Sequence, residues 1–467
     1  MFGWKKASEN FQTASKHKMH KVAWVLLCLT AWPAAALDFG RIAPDEVAVY
    51  VQDLNSGKVL ASHRADEQMS PASTMKLVTT FAALRHLGAD YRWLTEWKSP
   101  AEIKNGALQG DLYWVGSGNP VFDQRDLADM QQQLRSMGVE KIEGHLVFDR
   151  SIWQGTGSAQ GFDDDAEESF VTPPDPQMLA YKVVWIEPQQ GENGRVVVQT
   201  EPPLPDVPLE SHLVLTDSSM ICPSLKRFVN ASYRNGTLHV GGRMPPSCLG
   251  QKMFVNMLDN PDFAAKSFIN AWRAQNSKIT SGLKIGKAPQ SATTLAASQS
   301  KPLSEVLIDM NKESNNIIAR SLFLTLGEQE KGGNTADVAS KMVHRELSNA
   351  GVDASSLVLE NGSGLSRRER VSARMMGEIL AKAYHSSFQT AFIDSLPIGG
   401  VDGTLKNRFK NTHGLLHMKT GTLKDVRALA GYYLGAQPLA VVVLVNSERS
   451  GVQAVDIDRV VRGLLPH

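Results

Sequence analysis

The stretch Ser73-Thr74-Met75-Lys76 places a hydroxyl and an amine three positions apart in the chain. On a helix such residues share one face, with about 5–6 Å between their Cβ atoms. Ser70-Pro71, just upstream, is typical of an N-cap followed by the first helical position. Apolar residues then recur at helical spacing until Gly88, a residue type that commonly ends helices; they are Leu77, Phe81, Leu84 and Leu87. The sequence therefore predicts a helix whose first turn presents Ser73 to free N–H groups and to the positive end of the helix dipole.

Two later motifs, Ser314-Asn315-Asn316 and Lys419-Thr420-Gly421, follow in that order. Ser-x-x-Lys alone is weak evidence, because residues 15–18 and 298–301 also fit it. The first of these matches lies in a basic leader, and the second has no comparable cap followed by an apolar stripe. The three motifs in this order are therefore more informative than any one of them.

Together the motifs supply the groups that serine acylation needs. The hydroxyl of Ser73 is a weak nucleophile until a base takes its proton. Lys76 can be that base only when neutral, and an unperturbed lysine has a pKa of about 10.4. Burial lowers such a pKa, and the nearby ammonium of Lys419 would lower it further. We expect Ser314 to bridge the two lysines and pass a proton to the departing amine, and Asn316 to hold Lys76 or the substrate amide.

The residues around Lys419 are predicted to form a strand that binds substrate. Gly421 would let a substrate backbone approach the strand closely. Thr420 and Thr422 offer hydroxyls to a terminal carboxylate. The backbone N–H groups of Ser73 and Thr422 are expected to form the oxyanion hole.

A Ser/His/Asp triad is the competing arrangement, and the twelve histidines of the chain do not exclude it. The sequence has no Gly-x-Ser-x-Gly elbow that would place a nucleophile between a strand and a helix. The Gly-Ser-Gly tripeptides at residues 116–118 and 362–364 are interpreted as tight turns.

Residues 1–36 are interpreted as a secretory signal peptide. Lysines precede an apolar run at residues 22–32, and Ala34-Ala35-Ala36 fits a small-residue cleavage site, so we expect cleavage before Leu37. Met19 is an alternative start. The apolar run is short for a membrane-spanning helix, and an uncleaved anchor is the alternative. The sequence therefore predicts an exported, periplasmic protein.

Cys222 and Cys248 remain once the leader is removed. In an oxidising compartment we expect them to form a disulfide, with two unpaired structural thiols as the alternative. They have no His or Cys neighbours at metal-ligand spacing, and no cofactor motif occurs, so neither a metal nor a cofactor is expected. The formal net charge of +1 does not favour binding to nucleic acid.

Strand patterns occur at both ends of the mature chain. Residues 47–53 alternate as a strand does, and residues 58–63 return after a turn. Residues 427–434 and 439–445 are predicted as paired central strands, and residues 452–465 as a last helix. We therefore predict an α/β domain made of residues 37–92 plus 296–467, with one sheet closed by both ends of the chain.

Residues 93–295 are predicted to form one or more inserted accessory domains. A compact serine-acylating domain does not need so long a separation between Ser73 and Ser314. The inserted residues have short β-like runs, many prolines and an acidic loop, Asp163-Asp164-Asp165. Both cysteines lie here, so the disulfide would join parts of the insertion.

The chain resembles the D-alanyl-D-alanine carboxypeptidase/endopeptidase family, the low-molecular-mass class C penicillin-binding proteins. The three motifs carry the resemblance, because they match the set found in β-lactamases and penicillin-binding proteins, with Asn315 where that set has Asp. It extends to DLYWVGSG at 111–118, NGSGLSR at 361–367 and VDGTL at 401–405. It implies an α/β penicillin-binding, serine transpeptidase-like (β-lactamase-like) domain with a large, mainly β insertion. It also implies action on peptidoglycan peptide stems in the cell wall, by trimming terminal D-Ala or cutting D-Ala–diaminopimelate crosslinks, and acylation by β-lactams.

Family roles transfer to motif residues that are intact in this chain. Asn119 and Asn361 stand where the family usually has Asp, which affects local loop contacts and not the motifs. Asp165 resembles a family position that binds the amine of diaminopimelate, and a solvated loop carboxylate is the alternative. The carried-over residues are Ser73, Lys76, Ser314, Asn316, Lys419, Thr420, Gly421 and Thr422.

Two other functions compete with a serine DD-peptidase. A β-lactamase shares the acylation step but needs a further group that activates water for rapid deacylation. A penicillin-binding scaffold or sensor is the non-enzymatic alternative, and the intact motifs argue against it. The sequence leaves open a dimer, peripheral membrane association, and the balance between carboxypeptidase and endopeptidase activity.

Overall fold

The computed structural model describes residues 37–156, 169–192, 195–328, 333–448 and 453–466. The predicted signal peptide at 1–36 and the predicted binding residue Asp165 lie outside these ranges. Among the described residues, no helix is both long enough and apolar enough to cross a bilayer.

The helices within the described residues are α1 (Met75–His86), α2 (Gln124–Ser136), α3 (Asn260–Ala274), α4 (Leu303–Lys312), α5 (Asn316–Glu328), α6 (Thr335–Asn349), α7 (Ala373–Tyr384), α8 (Gln389–Asp394) and α9 (Ala454–Leu464). The strands at the two ends of the chain are β1 (Val47–Asp53), β2 (Val59–His63), β18 (Leu416–Leu423), β19 (Val426–Tyr433) and β20 (Leu439–Asn446). The strands between them are β3 (Leu94–Ser99), β4 (Ile103–Lys104), β5 (Ala107–Leu108), β6 (Leu112–Val115), β7 (Lys141–Ile142), β8 (Leu146–Asp149), β9 (Val184–Gln190), β10 (Val196–Glu201), β11 (Leu209–Leu215), β12 (Val229–Arg234), β13 (Thr237–Met244), β14 (Met253–Val255), β15 (Lys278–Ile279), β16 (Leu283–Ile285) and β17 (Thr293–Gln299).

One five-stranded antiparallel sheet joins the two ends of the chain. Its strand order is β18–β19–β20–β1–β2, and β1 pairs with β20 from Val47 opposite Val445 to Asp53 opposite Leu439. Every residue of β20 except Asn446 is buried, and the helices α7 and α9 both contact this strand. The predicted sheet, its paired central strands and the last helix are confirmed.

Helix α1 lies at the centre of the hydrophobic core beside this sheet. Its residues Met75 to Leu84 are all buried, and α4, α5, α6 and α7 contact it. The helix ends at His86, and Gly88 follows with a left-handed φ of +84°. The predicted end of the helix is therefore confirmed.

The predicted start of this helix is wrong. A 3₁₀ turn, Ala72–Thr74, precedes α1 and has no side-chain cap. Ala72 adopts a left-handed φ of +45°, so the right-handed helix cannot extend back to Ser70. The backbone of Ser70 is instead held by the Asn446 side chain, whose Oδ1 accepts from the Ser70 N–H at 2.7 Å and whose Nδ2 donates to the Ser70 carbonyl at 3.0 Å.

The chain between β3 and β17 is mainly β, as expected, and has its own hydrophobic core. Its sheets have the strand orders β16–β8–β6–β3–β17, β15–β7–β5–β4, β10–β9–β14 and β11–β13–β12. The first and last strands, β3 and β17, are antiparallel neighbours with Leu94 opposite Gln299. The insertion therefore begins and ends at one place. The division at residues 93 and 295 stays a prediction, and residue 295 lies within β17.

Cys222 and Cys248 form a disulfide with their Cα atoms 5.1 Å apart. Both are buried in the core of the insertion. The disulfide therefore joins parts of the insertion and lies outside the core that contains α1.

Candidate active site

Ser73 lies in the 3₁₀ turn that runs directly into α1. Thr74 Oγ1 donates to the Pro71 carbonyl at 2.7 Å and helps to hold this turn. The left-handed φ of Ala72 is an unusual conformation for a residue with a side chain, of the kind that often occurs at functional sites. The turn places Ser73 at the N-terminal end of α1, where the positive end of the helix dipole favours negative charge.

Lys76 is fully buried and its amine has three polar neighbours. The Nζ atom lies 3.1 Å from Ser73 Oγ, 2.6 Å from Asn316 Oδ1 and 2.7 Å from the carbonyl oxygen of Ser363. The predicted meeting of the first two motifs is therefore present in the fold. The contact with Ser363 was not predicted.

The pKa of each lysine in the motifs is lowered by its surroundings. Burial lowers the pKa of Lys76 well below its ordinary value, the positive charge of Lys419 lowers it further, and Glu369 opposes both effects. Burial lowers the pKa of Lys419 to about 7. The shift at Lys76 favours the neutral amine that a lysine base requires.

Ser314 lies between α4 and α5 in a left-handed conformation with φ of +57°. Its Oγ accepts a hydrogen bond from Lys419 Nζ at 2.9 Å, and the same amine donates to the Thr420 carbonyl at 2.9 Å. One side of the predicted bridge between the two lysines is thus in place. Its other side, from Ser314 to Lys76, stays a prediction.

The strand β18 carries the third motif at the edge of the sheet. Thr420 is buried and donates through Oγ1 to Thr404 Oγ1 at 2.9 Å, whereas Thr422 is exposed. Of the two predicted carboxylate ligands, Thr422 is therefore the more accessible. The roles of both residues, and the oxyanion hole of Ser73 and Thr422, stay predictions.

The structure gives a different reason for the glycine at 421 from the one expected. A Cβ atom there would lie 2.6 Å from the Pro71 carbonyl oxygen and 3.2 Å from Ala72 Cβ. The absent side chain lets β18 pack directly against the turn that carries Ser73. Substrate approach is not needed to explain this glycine.

The turn at residues 361–364 belongs to the site, although sequence reasoning gave its Gly-Ser-Gly no catalytic role. Its Ser363 carbonyl accepts from Lys76, and its Gly362 carbonyl accepts from Thr79 Oγ1 at 2.6 Å. A Cβ atom on Gly364 would lie 1.8 Å from the Ala72 carbonyl oxygen. The sequence feature that could have indicated this role is the pair of glycines at 362 and 364, because segments that pack backbone against backbone need residues without a side chain.

The insertion reaches α5 at Phe170 and Thr172. Asn316 Nδ2 donates to the Phe170 carbonyl at 3.1 Å, and an Arg320 guanidinium nitrogen donates to the Thr172 carbonyl at 3.2 Å. Asn316 therefore joins Lys76 on one side to the insertion on the other.

Comparison with known proteins agrees with this arrangement. The profile of the D-Ala-D-Ala carboxypeptidase 3 (S13) family matches residues 31–462. The chain belongs to this family. The S13 assignment confirms the predicted family and enzyme class, a serine-type D-Ala-D-Ala carboxypeptidase or DD-endopeptidase that acts on peptidoglycan, and favours it over a β-lactamase.

Individual relatives of this S13 peptidase cover most of the chain. It is 30% identical over 430 residues to the D-alanyl-D-alanine carboxypeptidase of Actinomadura sp. strain R39, covering 86% of this chain and 78% of that protein. It is 26% identical over 418 residues to the D-alanyl-D-alanine carboxypeptidase DacB of Haemophilus influenzae, covering 87% of this chain and 86% of that protein.

Solved structures share the fold. Penicillin-binding protein 4 of Haemophilus influenzae matches with a TM-score of 0.74 at 24% identity, covering 90% of this chain and 95% of that one. The predatory endopeptidase Bd3459 of Bdellovibrio bacteriovorus, in complex with an immunity protein, matches with a TM-score of 0.53 at 17% identity, covering 90% and 92%. The predicted penicillin-binding fold class is confirmed.

Proposed function

We propose that this S13 peptidase cleaves peptidoglycan stems after D-Ala through an acyl-enzyme on Ser73, with Lys76 as the base. The distance of 3.1 Å between Lys76 Nζ and Ser73 Oγ carries the proposal. A neutral amine can donate to the two acceptors Asn316 Oδ1 and Ser363 O, and its lone pair is then left to accept the Ser73 proton. Nucleophile and base lie within the distance that proton transfer needs.

In this mechanism Ser73 Oγ attacks the carbonyl carbon of D-Ala while its proton passes to Lys76. The N–H groups of Ser73 and Thr422 receive the negative charge that develops on the carbonyl oxygen. The C–N bond breaks, and the departing amine takes a proton through Ser314. Water then hydrolyses the ester and returns a free carboxylate and Ser73.

The third motif would bind the carboxylate of the substrate. Lys419 and Thr422 offer an ammonium and a hydroxyl to it, with Thr420 behind them in contact with Thr404. Because β18 is an edge strand, the backbone of an extended peptide can pair beside it. A β-lactam carries a comparable carboxylate and a strained amide, and would acylate Ser73 in the same way. Penicillin-binding protein 4 of Haemophilus influenzae was solved with a β-lactam.

Covalent labelling by a fluorescent penicillin tests the nucleophile. We expect Ser73→Ala to lose labelling and Ser298→Ala, from another Ser-x-x-Lys match in the mature chain, to keep it. Labelling of folded Ser73→Ala would show that the nucleophile is another residue.

Digestion of purified crosslinked muropeptides separates the two cleavage activities. Mass analysis distinguishes the loss of a terminal D-Ala from the loss of a crosslink. Labelling by penicillin with neither product would favour the penicillin-binding scaffold instead.

We propose that the insertion selects the stem, with Asp165 binding the ammonium of diaminopimelate by family resemblance. The contacts of Phe170 and Thr172 with α5 support a role for the insertion at the site. Asp165→Asn should raise KM for stems that contain diaminopimelate, and Asp163→Asn is the matched control. Equal KM values in both variants would reject the assignment.

We also propose that residues 1–36 direct export to the periplasm and are removed. The mature protein recovered from a periplasmic extract should begin at Leu37. Recovery of the full-length chain in the membrane fraction would favour the uncleaved anchor.

A further inference from the structure

Glu369 is a fully buried carboxylate that the mechanism above does not use. Its Oε1 accepts the backbone N–H groups of Glu360, Asn361 and Gly362 at 3.1, 3.0 and 3.1 Å. Its Oε2 accepts the N–H of Gly364 at 2.9 Å. One side chain therefore binds four of the backbone N–H groups of a five-residue segment, and fixes the shape of that segment.

This segment contacts both reacting groups of the site. Lys76 Nζ donates to the Ser363 carbonyl at 2.7 Å, inside the segment that Glu369 holds. Gly364 packs against the Ala72 backbone so closely that no side chain fits between them. A shift of the segment would therefore move Lys76 and the turn that carries Ser73.

The carboxylate of Glu369 also acts through its charge. Burial raises its pKa, and the four N–H donors oppose this change. Since both oxygens receive N–H donors, the geometry fits the ionised form. Two buried basic groups interact with it, the amine of Lys76 and the guanidinium of Arg320, and it raises the pKa of each. Lys76 in turn faces the positive charge of Lys419.

We propose that Glu369 is a positioning residue for acylation, which holds residues 360–364 under Lys76 and supplies the negative charge that this buried amine faces. The proposal rests on the function proposed above, because it assumes that Lys76 is the base for Ser73. Asn361 suits this arrangement, since its neutral amide donates to the Leu365 carbonyl at 2.8 Å and accepts from Ser363 Oγ at 2.7 Å. A carboxylate at 361 could not make the first of these bonds.

The charge of Glu369 should affect how the rate of acylation depends on pH, and the direction of the effect follows from its interaction with Lys76. Glu369 raises the pKa of Lys76, against burial and Lys419. Removal of the negative charge should therefore lower the pKa of Lys76, so that the amine becomes neutral at lower pH. The acid side of the pH profile for acylation would then move to lower pH.

The experiment measures the second-order rate of acylation by a fluorescent penicillin, as a function of pH, for the full chain and for Glu369→Gln. We expect the acid side of the profile to move to lower pH and the maximal rate to fall about 10–100-fold, since small displacements of a base reduce rates strongly. A glutamine leaves the Gly364 N–H facing its amide group, so the segment loses one of its four bonds.

Thr79→Val is the matched control. Thr79 Oγ1 holds the same segment through the Gly362 carbonyl at 2.6 Å but carries no charge. This variant should slow acylation without moving the acid side of the profile. Glu369→Asp keeps the charge on a shorter side chain, and should lower the maximal rate while leaving the acid side close to that of the unmodified protein.

Each outcome decides one of the two proposals. If the unmodified protein is not labelled, or folded Ser73→Ala is, the proposed function fails first. If the unmodified protein is labelled through Ser73, an unchanged profile in folded Glu369→Gln overturns the role of Glu369, as does a slower rate with an unmoved acid side.

If Glu369→Gln does not fold, Glu369→Asp decides, because a folded variant with an unchanged rate overturns the proposal and a 10-fold slower one supports it. Failure of both to fold would assign Glu369 to stability alone.

Discussion

The two buried lysines of the site have different neighbours, which suit them to different tasks. Lys76 lies between Ser73 Oγ, an amide oxygen and a backbone carbonyl. Lys419 donates to Ser314 and to its own strand. The first arrangement suits a base. The amide oxygen and the backbone carbonyl can only accept, so they bind the two N–H groups of a neutral Lys76 amine and leave its lone pair for the Ser73 proton. The second suits a cation that organises a hydroxyl and faces an incoming carboxylate.

Replacement of Lys76 by arginine tests whether a neutral amine is needed. A guanidinium stays protonated throughout the pH range in which proteins are stable. We expect Lys76→Arg to slow acylation by penicillin about 10²–10⁴-fold, the range attributed to general base catalysis. Lys301→Arg, from the Ser-x-x-Lys match at 298–301, should react normally. Acylation of Lys76→Arg within a few-fold of the unmodified rate would mean that another group takes the Ser73 proton.

The pKa of Lys419 predicts the alkaline side of the pH profile. Burial lowers this pKa to about 7, so the ammonium is present below about pH 7 and is lost as the pH rises through it. The second-order rate of acylation reports the free enzyme, and it should fall over the same interval. In Lys419→Arg, which keeps its charge, any remaining activity should not fall there. A rate that stays constant from pH 6 to about 9 would show that the charge of Lys419 is not needed.

At the residue scale, the sequence indicated which polar side chains would meet, and it missed a group that holds them. Their types and spacings were informative, and the structure brings Lys76 to Ser73 and Asn316, and Lys419 to Ser314. Their catalytic roles stay predictions. Glu369 was missed, since its partners are backbone N–H groups and a sequence does not show which carboxylate will bind them.

At the scale of elements, two glycines allow three separate segments to meet at Ser73. Gly421 lets β18 approach Pro71, and Gly364 lets the 361–364 turn approach Ala72. Both glycines lie against Ala72, the residue that adopts a left-handed φ. The local conformation around Ser73 is thus imposed by neighbours distant in the chain.

Gly421→Ala should separate the strand from the turn. The added Cβ would meet a backbone carbonyl at 2.6 Å, and such overpacking costs about 1–3 kcal/mol of stability. We expect acylation to slow about 10–100-fold, because the nucleophile and the oxyanion donors would move apart. Gly241→Ala in β13, where nothing lies within 4 Å of the added atom, should leave acylation unchanged. Equal acylation rates in the two variants would contradict this account of Gly421.

The elements themselves were predictable to different degrees. The strands β1 and β20 and the helix α9 were predicted within two residues, because their apolar patterns are long and regular. The start of α1 was predicted wrongly. Ser70-Pro71 is a favourable local cap, but the side chain of Asn446, distant in the chain, binds the backbone of Ser70 instead. Helix ends depend on such contacts more than helix interiors do.

At the scale of the whole molecule, the insertion begins and ends in two adjacent strands, β3 and β17. Its residues 170–172 contact α5 at the candidate site. Its own core, separate from that around α1, stabilises it. Length and composition predicted an insertion, but they could not show that Phe170 and Thr172 would contact α5.

Reduction of the disulfide tests whether the two cores are energetically separate. Cys222 and Cys248 are 26 residues apart, and closing a loop of that length contributes about 3.5 kcal/mol in the chain-entropy account. Reduction should therefore lower the melting temperature of the insertion, while acylation of Ser73 at 25 °C continues at an unchanged rate, because neither cysteine belongs to the core around α1. The double variant Cys222→Ser/Cys248→Ser should behave like the reduced protein and should not respond to reductant. If reduction abolished penicillin labelling while the circular dichroism spectrum of the chain stayed unchanged, the insertion would have to support the geometry of the site through its contacts with Asn316 and Arg320.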